Sequence, residues 1–133
     1  MAQPMIEHVN LTVSDPGRTA TMLIDLFGWH IRWQGKAANG GNTVHVGTDS
    51  SYLAVYADKD SDGTPLCHAK GRPFNHVGIV VDDLDAVDAR ATALGLHTFN
   101  HDDYMPGRRF YFFDGDGIEY EIVSYAQPQG ARP

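Results

Sequence analysis

Two histidines and one glutamate give this sequence its clearest capacity for metal chemistry. His8 and His76 each begin one of two nearly repeated stretches, HVNLTVSD and HVGIVVDD, which lie about half a chain apart. Glu119 and Glu121 both belong to another predicted strand near the end of the chain, and either one could supply a carboxylate. Two imidazoles and one carboxylate form a facial triad that leaves coordination positions open for water, substrate or oxygen. The repeat therefore favours a catalytic metal site over two unrelated, half-buried histidines.

The predicted strands give these side chains defined faces. Side chains alternate between the two faces of a strand, so His8 and Asn10 share one face. The same alternation separates His76 from the apolar residues that follow it, and it places Glu119 and Glu121 together on the last strand. The apolar residues expected on the opposite faces are Val9, Leu11 and Val13, then Val77, Ile79 and Val81, and finally Ile118, Tyr120 and Ile122.

Charge and cysteine content exclude several classes of partner and site. The net charge of −7 and the pI near 5.3 argue against nucleic acids and anionic membranes, which both require a basic surface. Without a long apolar run or a signal-like start, a cytoplasmic location is expected. Cys67 is the only cysteine, so an internal disulfide and a thiolate cluster are both excluded. Any metal ligands must therefore be nitrogen or oxygen atoms.

Hydrophobic periodicity predicts an α+β chain made of two modules with the same order, β-α-β-β-β. Module 1 covers about 5–57, a connector about 58–73 and module 2 about 74–125, and 126–133 form a loose tail. A chain of 133 residues can bury one substantial core, so we expect both modules to form a single domain, 1–133.

Capping residues and turn formers mark the predicted elements. Asp15 and Pro16 predict the start of a helix and Gly28 its end. Gly95 ends a second helix, and the turn 114–117 joins the last two strands. The apolar stripe of the second helix comprises Leu84, Val87, Ala91 and Leu94. The predicted strands are 6–13, 29–34, 43–47 and 52–56 in module 1, and 74–81, 96–100, 109–113 and 118–124 in module 2.

The two histidine-led modules and the closing segment DGDGIEYEI, residues 114–122, resemble the vicinal oxygen chelate superfamily. This superfamily includes glyoxalase I, extradiol dioxygenases, fosfomycin-resistance enzymes and bleomycin-resistance proteins. The resemblance covers about 5–124 and implies a cupped mixed β-sheet around a divalent metal, with Glu121 as a ligand and Glu119 as its neighbour. Gly115 stands where the family usually has proline, a departure that a turn also accommodates.

The resemblance narrows the ligand set to three residues. Glyoxalase I-like members take a further carboxylate from the last strand of the first module, where this chain has Ala54. The remaining set, His8, His76 and Glu121, matches extradiol dioxygenases, which use Fe(II), and fosfomycin-resistance enzymes, which use Mn(II). We therefore expect one divalent ion per site, with Fe(II) or Mn(II) favoured and Zn(II) or Ni(II) as substitutes that the same ligands bind.

Further side chains receive roles in the proposed chemistry. The resemblance makes Tyr111 a substrate-contacting residue whose phenol donates a hydrogen bond, while its sequence context also fits a core aromatic. His45 is the candidate for proton transfer, and an ordinary surface histidine is the alternative. Asn10, Tyr56 and Arg109 are the candidates for substrate binding.

Two classes of function remain open at this stage. The first is a metal-dependent enzyme, extradiol-dioxygenase-like or a related lyase or transferase, that acts on a small oxygen-chelating substrate. The second is a metal-free small-molecule binding protein of the bleomycin-resistance type. Both are compatible with the homodimer that the resemblance implies.

Overall fold

The computed structural model describes residues 3–104 and 107–125, and the predicted tail, 126–133, lies outside them. The chain divides into two compact units, Met1–Leu66 and Cys67–Pro133, whose boundary falls within the predicted connector. Each unit contains one helix and one four-stranded mixed sheet. This confirms the predicted α+β class and the repeated β-α-β-β-β order. Among the described residues, no helix is long and apolar enough to span a membrane.

The elements of the first unit are β1 (His8–Thr12), α1 (Pro16–Phe27), β2 (His30–Lys36), β3 (Asn42–Gly47) and β4 (Tyr52–Ala57). Its first and last strands pair in parallel and its other neighbouring strands antiparallel, in the order β1-β4-β3-β2. Its core lies between the sheet and the helix, where Leu23, Leu26 and Val55 are fully buried.

The elements of the second unit are β5 (Val77–Val80), α2 (Leu84–Ala93), β6 (Phe99–Tyr104), β7 (Gly107–Phe113) and β8 (Glu119–Tyr125). They repeat the arrangement of the first unit in the order β5-β8-β7-β6, with β5 parallel to β8. Helix α2 packs against β7 and β8, and the fully buried side chains are Phe110, Phe112, Tyr120 and Ile122.

Several sequence-based expectations differ from the structure. The predicted strand 74–81 begins only at Val77, so His76 lies just before it. Val9 and Leu94, both assigned to apolar faces, are 42% and 46% exposed. The second predicted strand of module 2, 96–100, instead begins at Phe99. The Leu96 amide still donates to the Ala91 carbonyl, which keeps this segment attached to the end of the helix. A register shift follows between Phe99 and Asp102, with Asn100 at a positive φ of 53°. Such bulges leave no clear signature in an alternating pattern.

The caps of α1 are those that the sequence predicts. The Asp15 carboxylate accepts a hydrogen bond from the Arg18 amide at 3.1 Å, and Gly28 ends the helix at φ 70°. Replacing Asp15 by alanine leaves that amide without its acceptor, so we expect a loss of about 1 kcal/mol in the free energy of unfolding. Urea denaturation followed by circular dichroism measures it. Asp25→Ala removes a carboxylate from the exposed side of the same helix and is expected to cost less than about 0.5 kcal/mol.

Candidate metal centre

His76 and Glu121 form the centre of the candidate site in the second unit. His76 immediately precedes β5, and Glu121 lies opposite Gly78 on the neighbouring parallel strand β8. The His76 Nε2 and Glu121 Oε1 atoms are 3.0 Å apart, and the two side chains are 33% and 15% exposed. Two of the three predicted ligands therefore lie side by side, partly shielded from water and still accessible.

The other ring nitrogen of His76 already has a partner. Its Nδ1 atom lies 2.7 Å from the Asn75 amide oxygen, which accepts a hydrogen bond from an Nδ1–H group. In a neutral imidazole this tautomer leaves a lone pair on Nε2, directed at a carboxylate oxygen. Two acceptor atoms as close as His76 Nε2 and Glu121 Oε1 repel each other unless they share a proton or both bind a metal ion.

The spacing of the donor atoms fits a metal ion. Two ligand atoms bound at about 2.1 Å and at right angles around one ion lie about 3.0 Å apart. That is the separation of His76 Nε2 and Glu121 Oε1. One imidazole nitrogen and one carboxylate oxygen also suit Fe(II), Mn(II) and Zn(II). The residues present therefore fit a divalent ion, and the same separation also suits a hydrogen bond from a protonated His76.

Arg109, predicted to bind substrate, contacts the site through Glu121. Its Nη1 atom donates to Glu121 Oε2 at 3.0 Å, while the side chain is 17% exposed. The guanidinium holds one carboxylate oxygen and leaves the other directed at His76. This arrangement orients the carboxylate, as partners of metal-ligating groups do. The contact could not be predicted from the sequence because Arg109 and Glu121 lie on different strands.

Glu119 occupies the buried side of the same cluster. It is 3% exposed, its Oε1 atom contacts the Lys70 ammonium, and the His76 Nδ1 atom lies 3.9 Å from it. Lys70 belongs to the predicted connector, where an isolated lysine gives no signal of a buried partner. A buried carboxylate requires a cation or hydrogen bonds, and Lys70 supplies the charge.

His8 lies in the first unit on the edge strand β1 and is 42% exposed. Its Nδ1 atom lies 2.9 Å from Glu7 Oε1, and its ring stacks on Tyr52 with centroids 4.9 Å apart. The Tyr52 hydroxyl donates to the same Glu7 oxygen at 3.2 Å. Hydrogen bonds from His8 and Tyr52 lower the pKa of the Glu7 carboxyl. Among residues 3–104 and 107–125, no group of three His, Cys, Asp or Glu side chains is placed to hold a metal.

His45 and Tyr111 occupy equivalent positions in the two units. In β-sheet register His45 lies opposite Ala54, and Tyr111 lies opposite Glu121. Ala54 in turn pairs with the first unit's β1 as Glu121 pairs with β5. Ala54 therefore occupies the position of the ligand carboxylate, as the sequence match predicts.

The surroundings of these two residues suit contact with a bound molecule. The Tyr111 ring meets the His76 ring edge to face at 6.1 Å and is half-buried, whereas its neighbours Phe110 and Phe112 are fully buried. Tyr111 thus lies on the Glu121 face of β7 and not in the core. His45 stacks on Tyr52 at 4.7 Å. Burial lowers the pKa of His45, and the nearby charges of His8 and Arg32 lower it further.

The remaining predicted binding residues lie on the first unit's sheet. Asn10 is exposed on β1, and alternation places it on the His8 face. Tyr56 is half-buried on β4, and its hydroxyl accepts a hydrogen bond from the Asn39 amide at 2.7 Å. Trp33, which pairs with His45 in register, is 51% exposed and lies 5.3 Å from the His45 ring. The sheet therefore presents aromatic and polar side chains on one face.

The sequence of this chain matches the model of a known protein family. The family model "Glyoxalase/Bleomycin resistance protein/Dioxygenase superfamily" matches residues 5–122. No match was found among curated proteins.

Several solved structures have the same fold. A glyoxylase/bleomycin resistance protein/dioxygenase domain from Frankia sp. EAN1pec is 21% identical in sequence and has a TM-score of 0.78. The match covers 93% of this chain and 99% of that chain. The fosfomycin resistance protein FosX from Listeria monocytogenes, complexed with Mn(II) and sulfate, is 15% identical with a TM-score of 0.72 and coverage of 99% and 100%. TnmS3, an antibiotic binding protein from Streptomyces sp. CB03234, is 18% identical with a TM-score of 0.70 and coverage of 95% and 99%.

Proposed function

Because this chain belongs to the glyoxalase/bleomycin resistance protein/dioxygenase superfamily, we propose that it is a divalent-metal-dependent enzyme acting on a small molecule with two adjacent oxygen donors. The observation that carries the proposal is the 3.0 Å approach of His76 Nε2 to Glu121 Oε1. His8 is proposed as the third ligand, on the strength of the repeat that pairs it with His76. Three ligands leave coordination positions for a chelating substrate.

The metal would supply a positive charge that binds and polarises the oxygen atoms of the substrate. The protein's own residues would orient the metal ligands, donate a hydrogen bond to the substrate and accept a proton from it. Arg109 holds the carboxylate of Glu121, and Asn75 fixes the His76 tautomer. Tyr111 donates a hydrogen bond from its phenol to a substrate oxygen. His45, with its lowered pKa, is largely neutral near pH 7 and is proposed to accept a proton from the substrate.

An extradiol-dioxygenase-like reaction, with Fe(II), is the activity that we favour. The three-ligand set without a carboxylate at Ala54 supports it, as do the exposed Trp33 and the half-buried Tyr111, which suit a flat ring. The likeness to FosX supports Mn(II) as the second metal to test, since that protein was solved with Mn(II). We further propose that the protein is a cytoplasmic homodimer.

A metal-free binding protein is the second candidate function. The contacts of Glu121 with His76 and Arg109 favour it, because a protonated His76 would complete an ion-pair network without any metal. The shared fold with TnmS3, an antibiotic binding protein, supports the same alternative. In this case Tyr111 and the side chains next to it in the second unit would serve to bind a small molecule and not to transform it.

Metal content distinguishes the two candidates. We expect anaerobically prepared protein to hold about one divalent ion per chain by plasma mass spectrometry, and His76→Ala to lose it. His101→Ala is the matched control, because His101 pairs with Asp88 on α2 at 3.0 Å and its ring packs on buried Phe110. Protein that takes up no Fe(II), Mn(II) or Zn(II) on soaking would refute the enzyme proposal and favour the binding protein. With metal bound, turnover of catechols under oxygen tests the favoured reaction.

A further inference from the structure

The residue before each candidate histidine ligand carries a side-chain oxygen that faces the ring's Nδ1 atom. Glu7 does so for His8 at 2.9 Å, and Asn75 does so for His76 at 2.7 Å. From this we infer that Glu7, itself held by Tyr52, is a positioning residue that fixes the tautomer and the direction of the His8 imidazole. The inference rests on the proposed metal site and assigns residues that the ligand motif does not include.

The chemistry of Glu7 dictates which nitrogen of His8 carries the hydrogen. An ionised carboxylate only accepts hydrogen bonds, so a contact with Nδ1 requires an Nδ1–H group. The neutral ring then has its lone pair on Nε2, the atom that must bind a metal. A carboxylate behind an imidazole also makes the other nitrogen a better electron donor.

Tyr52 fixes Glu7 and the His8 ring together. Its hydroxyl donates to Glu7 Oε1 at 3.2 Å, the same oxygen that faces His8. Its ring stacks on the imidazole at 4.9 Å with an interplanar angle of 14°. His8 and Tyr52 are register partners on β1 and β4, so the backbone holds both ends of this arrangement. Turning the ring out of this plane would therefore break both the hydrogen bond and the stacking contact, and a 180° flip of the ring would break the hydrogen bond.

The second unit provides an independent version of the same device. The position equivalent to Tyr52 is Glu119, because Leu53 and Tyr120 pair with corresponding residues of β1 and β5. Glu119 Oε1 lies 3.9 Å from His76 Nδ1, while Asn75 makes the shorter contact. The first unit thus holds its histidine through the carboxylate of Glu7, and the second unit holds His76 through the amide oxygen of Asn75, with Glu119 beyond hydrogen-bond distance.

The test compares two replacements of Glu7, one that removes the side-chain acceptor and one that retains an acceptor oxygen. Glu7→Ala removes the acceptor, whereas Glu7→Asn supplies the group that Asn75 already presents to His76. We expect Glu7→Ala to weaken Mn(II) affinity by about 10- to 100-fold and Glu7→Asn to recover most of that loss. Mn(II) affinity is read from the electron paramagnetic resonance signal of the free ion. Asp49→Ala is the control, because Asp49 faces His30 at 3.3 Å in the same unit and belongs to no proposed site.

A second readout needs no metal. Nitrogen-15 NMR of the His8 ring at pH 8, where exposed imidazoles are neutral, reports the tautomer directly. We expect Nδ1–H in the wild type and in Glu7→Asn, and a shift toward Nε2–H in Glu7→Ala. Mn(II) binding that Glu7→Ala leaves unchanged would overturn the inference and leave the proposed function standing. If the wild type binds no Mn(II), Fe(II) or Zn(II), the proposed function fails, and the tautomer alone then upholds or overturns the role of Glu7.

Discussion

Glu121→Gln is expected to weaken the affinity for a divalent metal by at least about 100-fold. Removing a residue that only hydrogen-bonds to a metal ligand typically weakens metal affinity by about 10- to 100-fold, and removing the ligand itself should cost at least as much. Glutamine has nearly the same size, but its neutral amide is a poor ligand for a divalent ion and lacks the charge that offsets the metal. The side-chain oxygen of the introduced glutamine can still accept a hydrogen bond from Arg109, so the strand should remain in place. Titration with Mn(II) or Zn(II), monitored by calorimetry, measures the change.

Glu119→Gln is the matched control for this substitution. Both residues lie on β8 two positions apart, and both changes remove one negative charge. Glu119 is 3% exposed and contacts the Lys70 ammonium. Its replacement should therefore lower the free energy of unfolding by about 1–3 kcal/mol and leave most metal binding intact. Equal losses of metal affinity in the two variants would show that Glu121 is not the ligand.

The face of β8 on which Glu121 lies could be predicted because strand alternation is a local property. Tyr120 and Ile122 are fully buried, and Glu121 between them is half-buried on the other face, as the alternating pattern requires. The sequence also predicts that Ala54 corresponds to Glu121, since each residue belongs to the last strand of a module. The observed registers confirm it.

The contacts that orient the ligands could not be predicted, because they depend on cross-strand register and loop paths. Arg109 reaches Glu121 from β7, and Lys70 reaches Glu119 from the segment between the modules. The sequence of one strand does not determine which residue of the neighbouring strand lies opposite each of its residues. The sequence does contain Glu7 and Asn75 beside the histidines, but side chains of adjacent strand residues ordinarily point to opposite faces. Their hydrogen bonds to Nδ1 therefore become visible only in the structure.

The repeat extends further than the histidine stretches that first reveal it. Trp33 and His45 are register partners in the first unit, and Phe99 and Tyr111 are register partners in the second. The ring centroids are 5.3 Å apart in the Trp33–His45 pair and 6.0 Å apart in the Phe99–Tyr111 pair. Sequence identity between the modules has disappeared at these positions, yet the ring-bearing character persists. Shared aromatic character at equivalent positions supports the proposed contact of Tyr111 and His45 with a flat substrate.

Side chains on β7 alternate between a buried and an accessible face, and replacing a buried one is expected to reduce stability strongly. The Phe110 ring is enclosed by neighbouring side chains and has a relative exposure to water of 0%. Phe110→Ala removes a buried ring and leaves a cavity, so the free energy of unfolding should fall by about 3–5 kcal/mol. Urea denaturation followed by circular dichroism gives the value. Tyr111→Phe, one residue along the strand, keeps the ring and removes only the hydroxyl, so its cost should stay below about 1.5 kcal/mol.

Phe113→Ala makes the same chemical change as Phe110→Ala on the same strand, at a side chain that is 42% exposed. Because its ring already contacts water, the expected loss in the free energy of unfolding is below about 1.5 kcal/mol. Comparable losses at Phe110 and Phe113 would contradict the assignment of faces on β7. That assignment also directs Tyr111 toward Glu121, so the stability series tests the orientation of a proposed substrate-contacting residue without a substrate. Tyr111→Phe should then lower turnover while metal binding stays unchanged, which separates its role from that of the ligands.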